Sequence, residues 1–95
     1  MLTIIIPTYN EENNIKIIYN EIIKLSLDVE YEICFIDDGS TDNSFKNISN
    51  LSIKDKRVRY ISFSKNFGHQ IAICAGINKF KNNDILMLDC DLQHP

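Results

Sequence analysis

An α/β fold is predicted for this chain, with four parallel strands in the order 3-2-1-4 and helices on both faces of the sheet. Four short apolar runs, Leu2 to Ile6, Ile33 to Ile36, Val58 to Phe63 and Ile85 to Leu88, alternate with three segments whose apolar residues recur at helical spacing. The first, second and fourth runs are continuous rather than alternating, as expected of parallel strands covered on both faces. Strand and helix therefore follow one another as βαβαβαβ, which implies right-handed crossovers.

The first strand, Leu2 to Ile6, is rich in β-branched residues and is expected to end at Pro7. Asn10 is then expected to cap a helix with Glu11 and Glu12 in its first turn and Ile15, Ile18, Ile22 and Leu25 on its buried face. The second strand stops at Asp37-Asp38-Gly39-Ser40. Ser40 or Thr41 is expected to cap a second helix with Phe45, Ile48 and Leu51 inward. Val58 to Phe63 alternates, as a less buried edge strand does. After the turn Ser64 to Gly68, residues 69–80 read as a third helix, where Ala72, Ala75 and Gly76 allow close approach to the sheet. Asn82-Asn83-Asp84 breaks that helix before the fourth strand.

The 95 residues make one small domain, 44% hydrophobic and 24% charged, which places them among folding rather than disordered chains. A net charge of −3 offers no basic face for nucleic acid, and Lys54, Lys56, Arg57 and Arg59 read as a solvated turn entering a strand. Cys34, Cys74 and Cys90 lie far apart in apolar segments, so they read as buried, reduced thiols of a cytoplasmic protein. No stretch approaches the ~20 apolar residues of a membrane span, and no signal peptide fits the amino terminus.

The chemistry gathers where the strands end. All carboxyl ends of a parallel sheet point the same way, so the segments after the four strands share one rim, and a ligand crevice opens between the first and fourth strands. There Leu88 gives way to Asp89-Cys90-Asp91, followed by Gln93. Two carboxylates one residue apart at a strand end suit a hard divalent cation, Mg²⁺ or Mn²⁺, although aspartates also end strands as plain turn residues. The turn after the first strand lacks the Gly-x-Gly-x-x-Gly cradle of a dinucleotide-binding domain, so a metal is the remaining means of neutralising a bound diphosphate. A receiver-type signalling domain would need an acidic pair where Pro7 and Thr8 stand.

Four segments in this order carry a resemblance that spans the chain: Pro7-Thr8-Tyr9-Asn10-Glu11, Asp37-Asp38-Gly39-Ser40-Thr41-Asp42, Ser64-Lys65-Asn66-Phe67-Gly68-His69 and Asp89-Cys90-Asp91-Leu92-Gln93-His94-Pro95. The chain resembles glycosyltransferase family 2, of the Rossmann-like GT-A fold, and within it the dolichol- and undecaprenyl-phosphate sugar transferases, bactoprenol glucosyltransferases included. The resemblance implies an inverting, hexosyltransferase-type enzyme using a UDP- or GDP-sugar and, in this branch, a polyprenyl-phosphate acceptor at the cytoplasmic face of a membrane. It implies that Pro7, Tyr9 and Glu11 hold the nucleotide base, with Tyr9 against the ring, and that Asp38 accepts a base N–H while Asp37 braces the loop. Asp89 then sits near ribose and metal, Asp91 ligates the metal, Gln93 assists, and Lys65 meets a donor phosphate. His69 and His94 are left as loop residues.

Family members continue past Pro95 with an acceptor half that carries the usual catalytic base, so residues 1–95 are expected to be the donor-binding half, with no catalytic residue assigned within them. A non-catalytic nucleotide-binding remnant and a family 2 enzyme with a saccharide acceptor are the other readings. Two further expectations follow: Asp38→Asn weakens base binding while sparing the melt, and the apolar fourth strand presents an edge for self-association.

Overall fold

The computed structural model describes residues 1–91, and Leu92, Gln93, His94 and Pro95 lie outside the described residues. Seven elements follow in the expected order: β1 (Leu2–Thr8), α1 (Ile15–Lys24), β2 (Tyr31–Asp37), α2 (Ser44–Lys54), β3 (Val58–Ser62), α3 (His69–Lys79) and β4 (Asp84–Met87). The strands form one parallel sheet in the order β3-β2-β1-β4, as the sequence predicts.

Alternation along the central strands divides the core in two. Ile4 and Ile6 of β1 with Ile33 and Phe35 of β2 pack against Ile15, Ile18 and Ile22 of α1 and Ile48 and Leu51 of α2. On the opposite face Ile5, Cys34 and Ile36 meet Ala72 and Phe80 of the α3 side. There the small residues are the ones turned to the sheet. A Cβ on Gly76 would press into the Ile36 side chain and come within 2.9 Å of Ile5 Cδ1, so close packing accounts for the glycine. The larger apolar residues Ile71 and Ile77 point outward, 50% and 43% exposed. Cys74 is exposed as well, which corrects the expectation of three buried thiols. It lies two residues from Ala72, and about 200° of helical rotation carries it off the buried face.

Three local expectations also change. β1 runs two residues beyond Ile6, with Pro7 inside the strand and paired in register with Ile36. Ile5 presents its carbonyl to β4, where Leu88 donates to it, and Thr8 presents its own to β2, where Asp38 donates. Pro7, two residues from Ile5, therefore faces β4 with no N–H to give, and the β1–β4 ladder stops at Ile5 and Met87. The two strands part there, which opens the crevice. Neither Asn10 nor Ser40 and Thr41 caps a helix, because α1 and α2 begin at Ile15 and Ser44 after Asn14 and Asn43. Leu25 falls just past α1 and is 64% exposed.

At the amino ends of the strands, away from the rim, the basic cluster is partly engaged. Arg57 pairs with Asp55 at 2.9 Å and stacks over the Tyr31 ring, and Arg59 reaches Glu32 at 3.3 Å. The arginine donors hold the Asp55 carboxyl well below the usual carboxylate range.

Candidate donor-binding site

The rim is built from loops tied to one another. Asn10 takes a left-handed conformation, φ 52°, which an asparagine tolerates better than most residues. That turn lets its side-chain oxygen accept from the Thr41 N–H at 2.8 Å and the Asp42 N–H at 3.3 Å, while its own N–H donates to Ser40 Oγ at 2.9 Å. The next two residues continue the seam. Glu11 N–H donates to Ser44 Oγ at 2.8 Å and Glu12 N–H to an Asp42 carboxylate oxygen at 3.2 Å. Side chains that look like helix caps in the sequence thus join the loop after β1 to the loop after β2.

A second seam joins the β2 loop to residues 64–68. Asp38 is buried, 3% exposed, and its carboxylate accepts from the backbone N–H groups of Phe67 at 2.8 Å and Gly68 at 3.1 Å and from Asn66 Nδ2 at 3.2 Å. Asp37 accepts the Ser40 N–H at 3.3 Å, which fits its expected brace role. Gly39, at φ 71°, lies flat against the backbone of Lys65 and Asn66.

Two adjoining clefts open on this framework. One, about 180 Å³, lies between the end of β1 and the start of α3 and is walled by Thr8, Asp38, Asn66 and Ala72. The other, about 330 Å³, has Glu11, Asp89, Cys90 and Asp91 in its wall. Pro7, Tyr9 and His69 line both. Of the residues expected at the site, Pro7, Tyr9, Glu11, Asp38, Asp89 and Asp91 are brought together. Lys65 is not among the lining residues, and its Nζ sits 5.2 Å from the Phe67 ring centroid instead. Gln93 lies outside the described residues. His69, read from sequence as a loop residue, is the first residue of α3 and stands between the two clefts.

The Asp-x-Asp strand end has an anchored middle. Cys90 is buried in the α1/α2-side core while Asp89 on one side of it is exposed and Asp91 is half-buried. Burial, reinforced by the charges of Glu11 and Asp91, pushes the Cys90 thiol up to about 12. What faces the cleft is hard oxygen. Two aspartates with Glu11 in the same wall fit Mg²⁺ or Mn²⁺, ions held by one or two carboxylates together with water and phosphate oxygens. Among the described residues no three His, Cys, Asp or Glu side chains converge on one point as a closed cage would require.

The profile described as "Glycosyl transferase family 2" matches residues 3–95. The chain is 38% identical over 97 residues to the undecaprenyl-phosphate 4-deoxy-4-formamido-L-arabinose transferase of Proteus mirabilis, covering 99% of this chain and 30% of that protein. It is 35% identical over 96 residues to the prophage bactoprenol glucosyl transferase homolog of Escherichia coli, covering 99% of this chain and 31% of that protein. The chain therefore spans about a third of the length of these relatives. Among solved structures, the mannosyltransferase PcManGT of Pyrobaculum calidifontis, in complex with GDP-Man and Mn²⁺, superposes with a TM-score of 0.77 at 19% identity, over 95% of this chain and 27% of that one. The likeness in fold is to a GT-A enzyme, and with a family match over nearly every residue, the chain belongs to glycosyltransferase family 2.

Proposed function

We propose that residues 1–95 form the donor-binding part of an inverting transferase that moves a sugar from a UDP- or GDP-sugar to a polyprenyl phosphate. The observation that carries this reading is the shared wall of the two clefts, with Tyr9 lining both, beside the buried Asp38 in one and beside Asp89 and Asp91 in the other. That span suits a nucleotide lying across the end of β1, base toward Asp38 and diphosphate toward the aspartates. Tyr9, 46% exposed, offers a ring face to the base. Pro7 and Glu11 flank it. The polyprenyl acceptor is supported by the names of the undecaprenyl-phosphate and bactoprenol relatives, and the metal–nucleotide donor by the GDP-Man and Mn²⁺ bound to PcManGT.

A divalent cation bound here would offset the negative charge that builds on the departing nucleoside diphosphate. The residues of this chain bind and orient. Asp91 and Asp89, with Gln93 beyond the described residues, are the proposed metal ligands. The seam between the loops fixes the nucleotide wall against the strand ends. A polyprenyl phosphate already carries the anionic oxygen that attacks the anomeric carbon, so little demand for a general base falls on these residues. No helix among the described residues is long and apolar enough to cross a membrane.

Because the cleft facing the diphosphate carries three carboxylates, binding of UDP or GDP is expected to require metal. Calorimetric titration of UDP, GDP and their sugar conjugates with Mn²⁺ should show binding that EDTA abolishes and that Asp91→Asn weakens at least about tenfold, roughly 1.4 kcal/mol. Equal affinity with and without Mn²⁺ would overturn the Asp-x-Asp assignment.

The second expectation concerns β4. It is the outer strand of the described sheet beyond β1, and Leu86 and Met87 stand 44% and 43% exposed on it. The 95-residue polypeptide is expected to self-associate through this edge. Sedimentation velocity over a tenfold-spaced concentration series checks it, and a single monomer species throughout would show the edge to be inert.

A further inference from the structure

Resting on the donor-binding reading above, we propose that His69 is a diphosphate-contacting residue, which donates an N–H to the donor's phosphates in the cleft that it lines together with the aspartates. Elimination among the cleft walls leads to it. Every other ionisable side chain there except the Tyr9 phenol and the buried Cys90 thiol is a carboxylate: Glu11, Asp38, Asp89 and Asp91. Of the neutral donors, Asn66 Nδ2 is taken by Asp38 and the Thr8 hydroxyl by the Ile6 carbonyl. Lys65, the residue the sequence offers for a phosphate, is turned to the Phe67 ring.

His69 alone in these walls can carry positive charge. It is exposed, lines both clefts, and its imidazole makes no hydrogen bond or ion pair within the described residues. An uncommitted ring between the base cleft and the metal-side cleft stands where a nucleoside diphosphate changes from ribose to phosphate.

The backbone around it favours the same ligand. His69 opens α3, an 11-residue helix with no acidic residue in its first turn and no side-chain cap. The Phe67 and Gly68 N–H groups at this end are taken by Asp38, whereas those of the first helical residues are not claimed by a side chain, and an anion beside them is favoured by the helix dipole. Gly68, at φ 107°, precedes the helix with open space where a Cβ would stand, so nothing at that position shields the turn from a ligand. The imidazole adds to this anion-friendly turn a directed donor that a polyphosphate can use and an uncharged nucleoside cannot.

The test compares a nucleoside with its own diphosphate. UDP and uridine, or GDP and guanosine, are titrated in the presence of Mn²⁺ into the wild-type chain, His69→Ala and His69→Lys. His69→Ala is expected to weaken the diphosphate about ten- to a hundredfold, with the nucleoside changed less than about twofold, and His69→Lys is expected to restore much of the loss by returning a cationic donor. Since His69 is exposed and holds no partner, the thermal melts of the variants should match the wild type. Equal weakening of nucleoside and diphosphate, or no weakening of either, overturns the assignment of His69 while leaving the donor site in place. Failure of the wild-type chain to bind any diphosphate overturns the donor-binding reading itself.

Discussion

Gly39→Ala is expected to lower stability by about 2–4 kcal/mol, the largest effect of any single methyl group added to this chain. Gly39 sits at φ 71°, where an L side chain is strained by roughly 1–2 kcal/mol. Its Cβ would also lie 2.6 Å from the Lys65 carbonyl oxygen and closer still to Lys65 C and Asn66 N. These are backbone atoms, so no rotamer change relieves the overlap, and overpacking of this kind costs a further ~1–3 kcal/mol. The loop 64–68 would have to move away, which would pull the Phe67 and Gly68 amides off Asp38. In a domain of this size the melting temperature should fall by on the order of 10–20 °C. Gly68→Ala is the control. It shares the positive φ but meets nothing within 4 Å, so calorimetry should show a clearly smaller shift. If the two variants melt together, the close approach of Gly39 to the Lys65 backbone is not a constraint in solution.

Asp38→Asn is expected to lower both stability and donor affinity, stability by about 2–3 kcal/mol. The sequence-based expectation, that the melt would be spared, is revised by the three donors that meet this carboxylate. An asparagine oxygen can keep some of them. Its NH₂ group, however, would face a backbone N–H, leaving a buried donor opposed and unsatisfied, and a hydrogen bond to a charged acceptor is worth ~1.5–3 kcal/mol. Hydrogen exchange at the Phe67 and Gly68 amides reads this directly, because both donate to Asp38. Protection there should collapse in the variant while the β1 and β2 amides keep theirs. An unchanged melt with reduced nucleotide affinity would instead make Asp38 a ligand contact without a structural role. Because the same side chain also lines the base cleft, loss of affinity alone does not separate the two roles, and the exchange measurement is what separates them.

The parts of the molecule decided by burial periodicity were legible from the sequence. Continuous runs such as Ile33 to Ile36 can be satisfied only between two layers, and the sheet order and rim follow from that pattern with the chirality of the crossovers. Gly76 was legible for the same reason, since a glycine within a helix calls for a close neighbour. What could not be read were polar side chains whose partners lie about 30 residues away. Asn10, Ser40 and Thr41 have the composition of helix caps, and in isolation a cap and a loop-to-loop tie are indistinguishable. The resemblance offers Lys65 for a phosphate, and His69, with no Cys or His partner at metal spacing, reads from sequence as a loop residue. In the structure Lys65 lies over the Phe67 ring, whereas His69, the first residue of α3, lines both clefts. The sequence signal for the proposed role of His69 is its place directly after Gly68, at the head of a helix that starts beside the strand-end carboxylates Asp38, Asp89 and Asp91.

The seam running from Asn10 through Thr41 and Asp42 to Ser44 has a consequence for how binding free energy is used. These contacts join the loop after β1 to the loop after β2 through groups of the chain itself. The entropy of ordering a recognition surface is thereby charged to folding, so an arriving donor meets a wall already in place. Contacts to base and ribose are then free to discriminate between candidate donors instead of being consumed in arranging the loops. On the donor-binding proposal, selectivity would be written into hydrogen bonds that touch no donor atom.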